Sequence, residues 1–180
     1  MKLVGGRPQG LTLGHNERVS DIAWDDVHID FDPDVNGVLP DVVIESAGID
    51  DWQAVLDFVN ARGWAYDYGD EAGNRLVLPT AQQFFARRDR GTPLAVWPGP
   101  GMRVNFWSLD EGTIDADVDL RELQGQEPLD QLCDLIRALG QLLRKPVVML
   151  AEGCGPPRYP ILAYDVEADR VVVLARSTAD

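Results

Sequence analysis

The pattern of apolar and polar residues predicts a chain built mainly from strands. Residues 113–120, TIDADVDL, alternate apolar side chains with aspartates, which is the period of a strand with one apolar face. The segment VHIDF, residues 27–31, has the same period and predicts another strand, followed by a turn at DPDVNG. Further strands are predicted in the segments DVVIES (41–46), WAYDYGDEAGNRLVLP (64–79, a hairpin), LAVWPGPGMRVNFWS (94–108, two strands), VVMLAEG (147–153), PILAYDV (160–166) and RVVVLAR (170–176).

Three segments show helical signals instead. Residues 49–63 place apolar side chains at a spacing of three and four, which is typical of an amphipathic helix. Residues 127–145 carry a longer leucine-rich stripe, with Pro128 in the first turn, where its missing N–H breaks no hydrogen bond. A shorter helix is predicted at about residues 80–89, with Thr80 as its cap.

The order of these elements predicts the fold class. Strands outnumber helices, and the short connections favour antiparallel hairpins over the long crossovers that parallel strands need. We therefore expect an α+β fold, in which a largely antiparallel sheet packs against two main helices and one short helix. Residues 41–180 are expected to form a single α+β domain, and residues 1–40 an N-terminal arm or added strands.

The composition narrows the function classes. With 30 acidic against 16 basic residues the net charge is −14, which repels nucleic-acid phosphates and anionic membrane surfaces and attracts a basic partner. No apolar run approaches the roughly 20 residues that span a bilayer, and residues 1–21 hold no apolar segment of signal-peptide length. Two cysteines, Cys133 and Cys154, do not make a disulfide framework. We therefore expect a cytoplasmic protein that binds neither nucleic acid nor membranes.

The row Asp115, Asp117 and Asp119 is the first candidate for a site, because on a strand these carboxylates share one face, about 7 Å apart. A single cation cannot bridge all three at calcium–oxygen distances of about 2.3–2.6 Å. Three interpretations of this face remain open. A solvated face is favoured most, a face that docks a partner comes second, and a metal or catalytic site comes third. A second acidic run near the start of the chain could also dock a partner. It contains Asp25, Asp26, Asp30, Asp32 and Asp34.

One segment resembles a calcium-binding loop. DPDVNGVLPDVV places Asp32, Asp34 and Asn36 at the first, third and fifth positions of such a loop. The twelfth position should be a glutamate and is Val43, which favours an ordinary turn. The sequence holds neither a G-x-S-x-G elbow nor a P-loop, so it predicts no catalytic residue, no metal and no cofactor.

Arginines and tryptophans form two local groups. The segment FFARRDRG holds Arg87, Arg88 and Arg90, which could bind a phosphate or carboxylate, although a solvated helix end is favoured. Trp97 and Trp107 fall on neighbouring strands. They are expected in the core or as a cross-strand pair rather than in a ligand-binding cage.

A resemblance to a known group of proteins covers about residues 41–176. The segments IDDWQAVLDFVNARGW, DLRELQGQE and KPVVMLAEG carry it, and they are structural rather than chemical motifs. Through them the chain resembles small acidic actinobacterial proteins, whose general character is similar to that of bacterial polymorphic-toxin immunity proteins. The resemblance implies a protein that neutralises a toxin by binding it and that has no catalytic residue of its own.

These observations leave three functions to separate. The first is a non-catalytic acidic binding protein, an immunity protein that docks an acidic face on a basic toxin domain. The second is a small calcium- or magnesium-binding module, or an enzyme, that uses Asp115, Asp117 and Asp119. The third is a structural subunit that pairs with its own copy, and the sequence leaves the oligomeric state open.

Overall fold

The structure of the protein is a computed structural model that describes residues 22–70, 72–87, 92–153 and 159–174. Residues 1–21 of the expected N-terminal arm, together with Arg88, Arg90 and Cys154, lie outside the described residues. The described chain combines one antiparallel sheet with several helices, which confirms the α+β fold.

Eight strands form this sheet, and every pair of neighbours is antiparallel. Their bounds are β1 Asp41–Glu45, β2 Ala65–Asp67, β3 Leu94–Gly99, β4 Met102–Trp107, β5 Thr113–Val118, β6 Val148–Leu150, β7 Pro160–Asp165 and β8 Arg170–Val173. The order across the sheet is β2-β3-β4-β5-β1-β6-β7-β8, so β1 and β5 are the two central strands. In the predicted hairpin at 64–79, only β2 and one bridge between Gly69 and Arg75 form.

The predicted helices are confirmed. The helices are α1 Trp24–Val27, α2 Pro33–Asn36, α3 Ile49–Ala61, α4 Ala81–Ala86 and α5 Gln126–Leu143, with short 3-10 helices at His28–Phe31 and Leu120–Glu122. The three helices expected from the sequence correspond to α3, α4 and α5. A reciprocal cap starts α4, because Thr80 Oγ1 accepts from Gln83 N at 3.2 Å and Gln83 Oε1 accepts from Thr80 N at 2.9 Å.

The strand predicted at residues 27–31 is wrong, because this segment forms helical turns. Val27 and Phe31 are buried in the core, whereas Ile29 between them is 59% exposed. The two buried side chains are four residues apart and so lie on the same side of a helical turn. The pattern VHIDF fits both a strand and a helical turn, and burial of Val27 and Phe31 favours the turn. These turns pack the segment that begins at residue 22 onto the main core.

The helices pack against one face of the sheet. A single core joins apolar side chains of the helices to those at alternate positions of the strands. Its members include Trp52, Leu56, Leu129, Ile136, Val42, Ile44, Phe106, Ile114 and Met149. Some described helices have buried apolar side chains. All of these helices place those side chains in this core. The opposite face of the sheet, here named the outer face, therefore has no described helix packed on it.

Helix α5 approaches the sheet closely at Gly140. A β-carbon placed on Gly140 would lie 2.0 Å from the ring of Tyr164 on β7, too close for any side chain. The Tyr164 hydroxyl donates to Asp169 Oδ1 at 2.8 Å, so the ring cannot move away without breaking this hydrogen bond. Burial, and then the hydrogen bond to Asp169, raises the pKa of Tyr164. Glycine at position 140 therefore permits the contact between α5 and β7.

We expect Gly140→Ala to lower the free energy of unfolding by about 1–3 kcal/mol, because the added methyl group overpacks the contact with Tyr164. The higher helix propensity of alanine, about 1 kcal/mol, offsets only part of this loss. Urea unfolding followed by circular dichroism measures the difference. In a Tyr164→Ala background the same substitution should be neutral or stabilising, and an equal loss in both backgrounds would contradict the assigned contact.

Candidate functional site

Pairing of β1 with β5 brings acidic residues together on the outer face. In this register Asp41 lies opposite Asp117, and Val43 lies opposite Asp115. Glu45, two residues beyond Val43 on β1, faces the same side. The two central strands therefore carry four carboxylates on the outer face, here named the acidic patch: Asp41, Glu45, Asp115 and Asp117.

Two side chains of β4 hold Asp117 in this patch. Asn105 Nδ2 donates to Asp117 Oδ1 at 2.7 Å, and Trp107 Nε1 donates to Asp117 Oδ2 at 2.6 Å. The residue is 7% exposed, so the expectation that this carboxylate is solvated is wrong. The two donors supply the hydrogen bonds that a buried carboxylate would otherwise need from water. Asn105 can do so because it lies directly opposite Asp117 in the register of β4 and β5. The carboxylate cannot turn toward a ligand without losing both hydrogen bonds.

We expect Asp117→Ala to lower the free energy of unfolding by about 1–3 kcal/mol, because the Trp107 indole and the Asn105 amide lose their acceptor. Asp117→Asn keeps one acceptor oxygen, so it should lower the free energy of unfolding by less than Asp117→Ala does. Urea unfolding followed by tryptophan fluorescence measures both variants. An Asp117→Ala protein as stable as the wild type would show that these hydrogen bonds do not form in solution.

Asp119 does not belong to the acidic patch, because β5 ends at Val118. The Asp119 carboxylate accepts from the backbone N–H of Arg121 at 2.9 Å and caps the 3-10 helix Leu120–Glu122. It also pairs with the Arg121 guanidinium, and the hydrogen bonds from this side chain lower the pKa of Asp119. The predicted row of three aspartates is thus divided between two roles. Asp115 and Asp117 face outward, and Asp119 closes a turn.

The lowered pKa of Asp119 predicts a pH-dependent contribution to stability. Such a carboxyl stabilises the fold above its unfolded pKa of about 3.9, and this contribution is lost as the pH falls through the folded value. We expect Asp119→Asn, which keeps a capping oxygen, to lower stability by up to about 1 kcal/mol at neutral pH. The difference from wild type should vanish in acid. Urea unfolding across a pH series measures it, and a constant difference would argue against the ion pair.

An apolar groove borders the acidic patch on the outer face. Val43 lies opposite Val148 on β6, and Asp41 lies opposite Leu150, so the groove and the patch share β1. The groove has a volume of about 380 Å³. Its lining consists of Val43, Glu45, Ser46, Lys145, Pro146, Val148 and Leu150. Val43 and Leu150 are buried without belonging to the core on the helix side, so they form the apolar floor of the groove.

Lys145, the cation in the lining of the groove, is paired. Its Nζ atom lies 2.6 Å from Asp51 Oδ2 and donates to the Ser46 carbonyl oxygen at 2.7 Å. These contacts tie the end of α5 to the start of α3, where Asp51 is favoured by the helix dipole. The other charged residue in the lining is Glu45, a member of the acidic patch, so the groove and the patch meet at this residue.

The N-terminal aspartates form a separate acidic surface. Asp25 and Asp26 are exposed in the first turn of α1, and Asp30 is half-buried in the 3-10 helix that follows. Helical turns rather than the sheet carry these residues. The described chain therefore has two acidic surfaces that could dock a partner.

The side chains of the calcium-like segment serve local structure. Asp32 caps α2 by accepting from Asp34 N at 2.9 Å, and Asn36 Nδ2 donates to the Asp30 carbonyl oxygen at 2.8 Å. Such contacts are those of an Asx turn and a helix cap. Within the described ranges, no group of three or more His, Cys, Asp or Glu side chains is arranged to hold a metal ion.

Sequence reasoning missed Asp41, Glu45 and the aromatic side of the patch. The alternation in DVVIE already places both acids on one face, but it does not tell which strand lies beside them. Trp97 and Trp107, expected in the core or as a cross-strand pair, lie on the outer face instead. Trp107 donates to Asp117, and the Arg103 guanidinium lies 5.8 Å from the centre of the Trp97 ring.

No protein-family model, curated protein or solved structure matches this chain. Among the residues that the structure describes, no helix is both long enough and apolar enough to cross a membrane. The fold and the site define an α+β protein whose sheet carries a central acidic patch, bordered by an apolar groove, on the face away from the helices.

Proposed function

We propose that this protein is a non-catalytic binding protein that docks a basic protein partner on its outer face. The observation that carries the proposal is the acidic patch beside the apolar groove, on a sheet face that no described helix covers. Protein interfaces combine apolar and polar surface, and this face places an apolar groove beside a charged patch. Trp107, held beside the patch, adds an aromatic side chain of the kind enriched at interfaces.

The charge of the patch favours a basic partner. Like charges directly opposite each other destabilise a strand pair, and Asp41 lies opposite Asp117. A cationic surface placed over the patch would attract these carboxylates, whereas a neutral or acidic surface would not. The net charge of −14 adds a long-range field that attracts cations and repels nucleic acids and anionic membranes.

The resemblance to polymorphic-toxin immunity proteins supports a particular kind of partner. Toxins that act on nucleic acids carry basic surfaces for the phosphate backbone, and an acidic protein face competes for such surfaces. The partner on this proposal is a basic toxin domain, and the chain neutralises it in the cytoplasm by covering its phosphate-binding surface. No residue of the chain takes part in a reaction.

Binding to the toxin-domain product of an adjacent gene tests this proposal. The patch variant carries Glu45→Lys and Asp115→Lys, and the control variant carries Asp25→Lys and Asp26→Lys, an equal change of charge on the other acidic surface. We expect the patch variant to weaken binding at least about tenfold and the control variant by less than about twofold, because charge complementarity acts locally. Isothermal titration calorimetry at two salt concentrations measures both.

The outcomes separate the surfaces from the function. The opposite ranking of the two variants would move the docking surface to α1, while failure of the wild-type chain to bind would overturn the proposed function. Urea unfolding shows whether the variants keep the fold. Glu45→Gln with Asp115→Asn removes the same carboxylates more mildly if the lysines are not tolerated.

A further inference from the structure

Two arginines lie at one edge of the outer face. Arg103 lies on β4, and Arg75 lies in the segment that follows β2. Within the described part of the chain neither guanidinium forms an ion pair with a carboxylate. Both side chains line the same pocket, so their two positive charges act at one place.

Neighbouring groups hold both arginines in position. The Arg103 guanidinium lies 5.8 Å from the centre of the Trp97 ring, within the range of a cation–π contact. Arg75 Nη2 donates to the Tyr66 carbonyl oxygen at 2.8 Å. A guanidinium has five N–H donors, so each side chain keeps donors that a ligand could use. The planar fork of such donors matches the oxygens of a phosphate or carboxylate.

Both arginines line one pocket of about 230 Å³. Pockets for drug-sized ligands have volumes of about 300–1,000 Å³. The smaller volume of this pocket suits a ligand about the size of one phosphate or a short carboxylic acid. Gly69 and Gly73 also line it and add no side chain, and Thr92 adds a hydroxyl group. The lining further includes Asp67, so two cations face one carboxylate.

Arg87 braces the wall of this pocket. Its Nη1 atom donates to the carbonyl oxygen of Gly69, a lining residue, at 2.8 Å, and its guanidinium lies 5.0 Å from the centre of the Tyr68 ring. The sequence singles out Arg87 as a possible phosphate or carboxylate ligand together with Arg88 and Arg90, which lie outside the described residues. In the structure Arg87 supports the wall of the pocket, and Arg75 and Arg103 face into it.

We propose that the pocket between β2, β3 and β4, here named the arginine pocket, binds a small oxyanion through Arg75 and Arg103. The ligand class is a phosphate or carboxylate group. Asp67 reduces the net positive charge of the pocket and so weakens anion binding. The proposal requires no docking partner, so it stands or fails separately from the proposed function.

Titration of the chain with inorganic phosphate, and separately with malonate, tests this inference. Isothermal titration calorimetry at constant ionic strength gives the affinity, and the indole N–H signal of Trp97 in nuclear magnetic resonance spectra reports the site. We expect saturable binding of at least one anion, and the tighter one identifies the ligand as phosphate or carboxylate. Arg75→Gln and Arg103→Gln should each weaken it at least about tenfold, and Asp67→Asn should tighten it.

Arg62→Gln is the matched control. Arg62 stands at the end of α3, and its guanidinium lies 4.8 Å from the centre of the Phe58 ring, so it is a second arginine stacked on an aromatic side chain. This variant should change the affinity by less than about twofold, because it removes one charge away from the pocket. An equal effect of Arg62→Gln and Arg103→Gln, or no saturable binding of either anion, would overturn the proposal.

Arg103→Lys covers the case in which glutamine at this position prevents folding. Lysine keeps the charge and loses the planar fork of donors, so the affinity should still fall several-fold. Unchanged affinity in a folded Arg103→Lys protein, with no shift of the Trp97 signal on titration, would contradict recognition by the guanidinium.

Discussion

The antiparallel pairing of β1 with β5 is the interaction on which the rest of the structure depends. Strands β2 to β5 follow one another across one part of the sheet, and β6 to β8 follow one another across the other. Strand β1 lies between these parts and pairs with both, so it makes them one sheet. Its register also places Ile44 opposite Ile114 toward the helices and Asp41 opposite Asp117 on the outer face. A slip of one residue would exchange the two faces.

The same pairing combines a gain and a loss in stability, and their magnitudes explain why the site is tolerated. On the inward side Val42 and Ile44 are almost completely buried, and full burial of such side chains is worth about 1.5–3 kcal/mol each. On the outer side the repulsion between Asp41 and Asp117 belongs to cross-strand effects of about 0.2–1 kcal/mol. The gain from apolar burial is larger than the loss from this repulsion. The hydrogen bonds that Asn105 and Trp107 on β4 donate to Asp117 reduce the loss further. Because burial of the inward face outweighs the repulsion, the sheet can retain an acidic patch at its centre where a binding function requires the carboxylates.

The sequence predicts the main helices and most strands because an apolar period repeated over many residues leaves few alternatives. It fails at residues 27–31, where five residues fit both an alternating strand and a four-residue helical spacing. The acidic patch is predictable only in part. Asp115 and Asp117 follow from local alternation, but Asp41 joins them through a pairing between strands far apart in the chain, which no local pattern encodes. The hydrogen bonds of Asn105 and Trp107 depend in the same way on the register of β4 and β5.

Charges of opposite sign lie close together on the outer face, and this arrangement links the two proposed sites. Arg103 lies on β4, and the same strand carries Asn105, which donates to Asp117 on β5. Asp117 lies one strand spacing of about 4.8 Å across the sheet and two residues along it from Arg103, so this nearest carboxylate of the acidic patch lies roughly one Debye length from the arginine pocket at physiological salt. An oxyanion in the pocket would cancel part of its positive charge and so strengthen the negative field that a basic partner meets. Since coupling between two sites is reciprocal, the partner would tighten anion binding by the same factor.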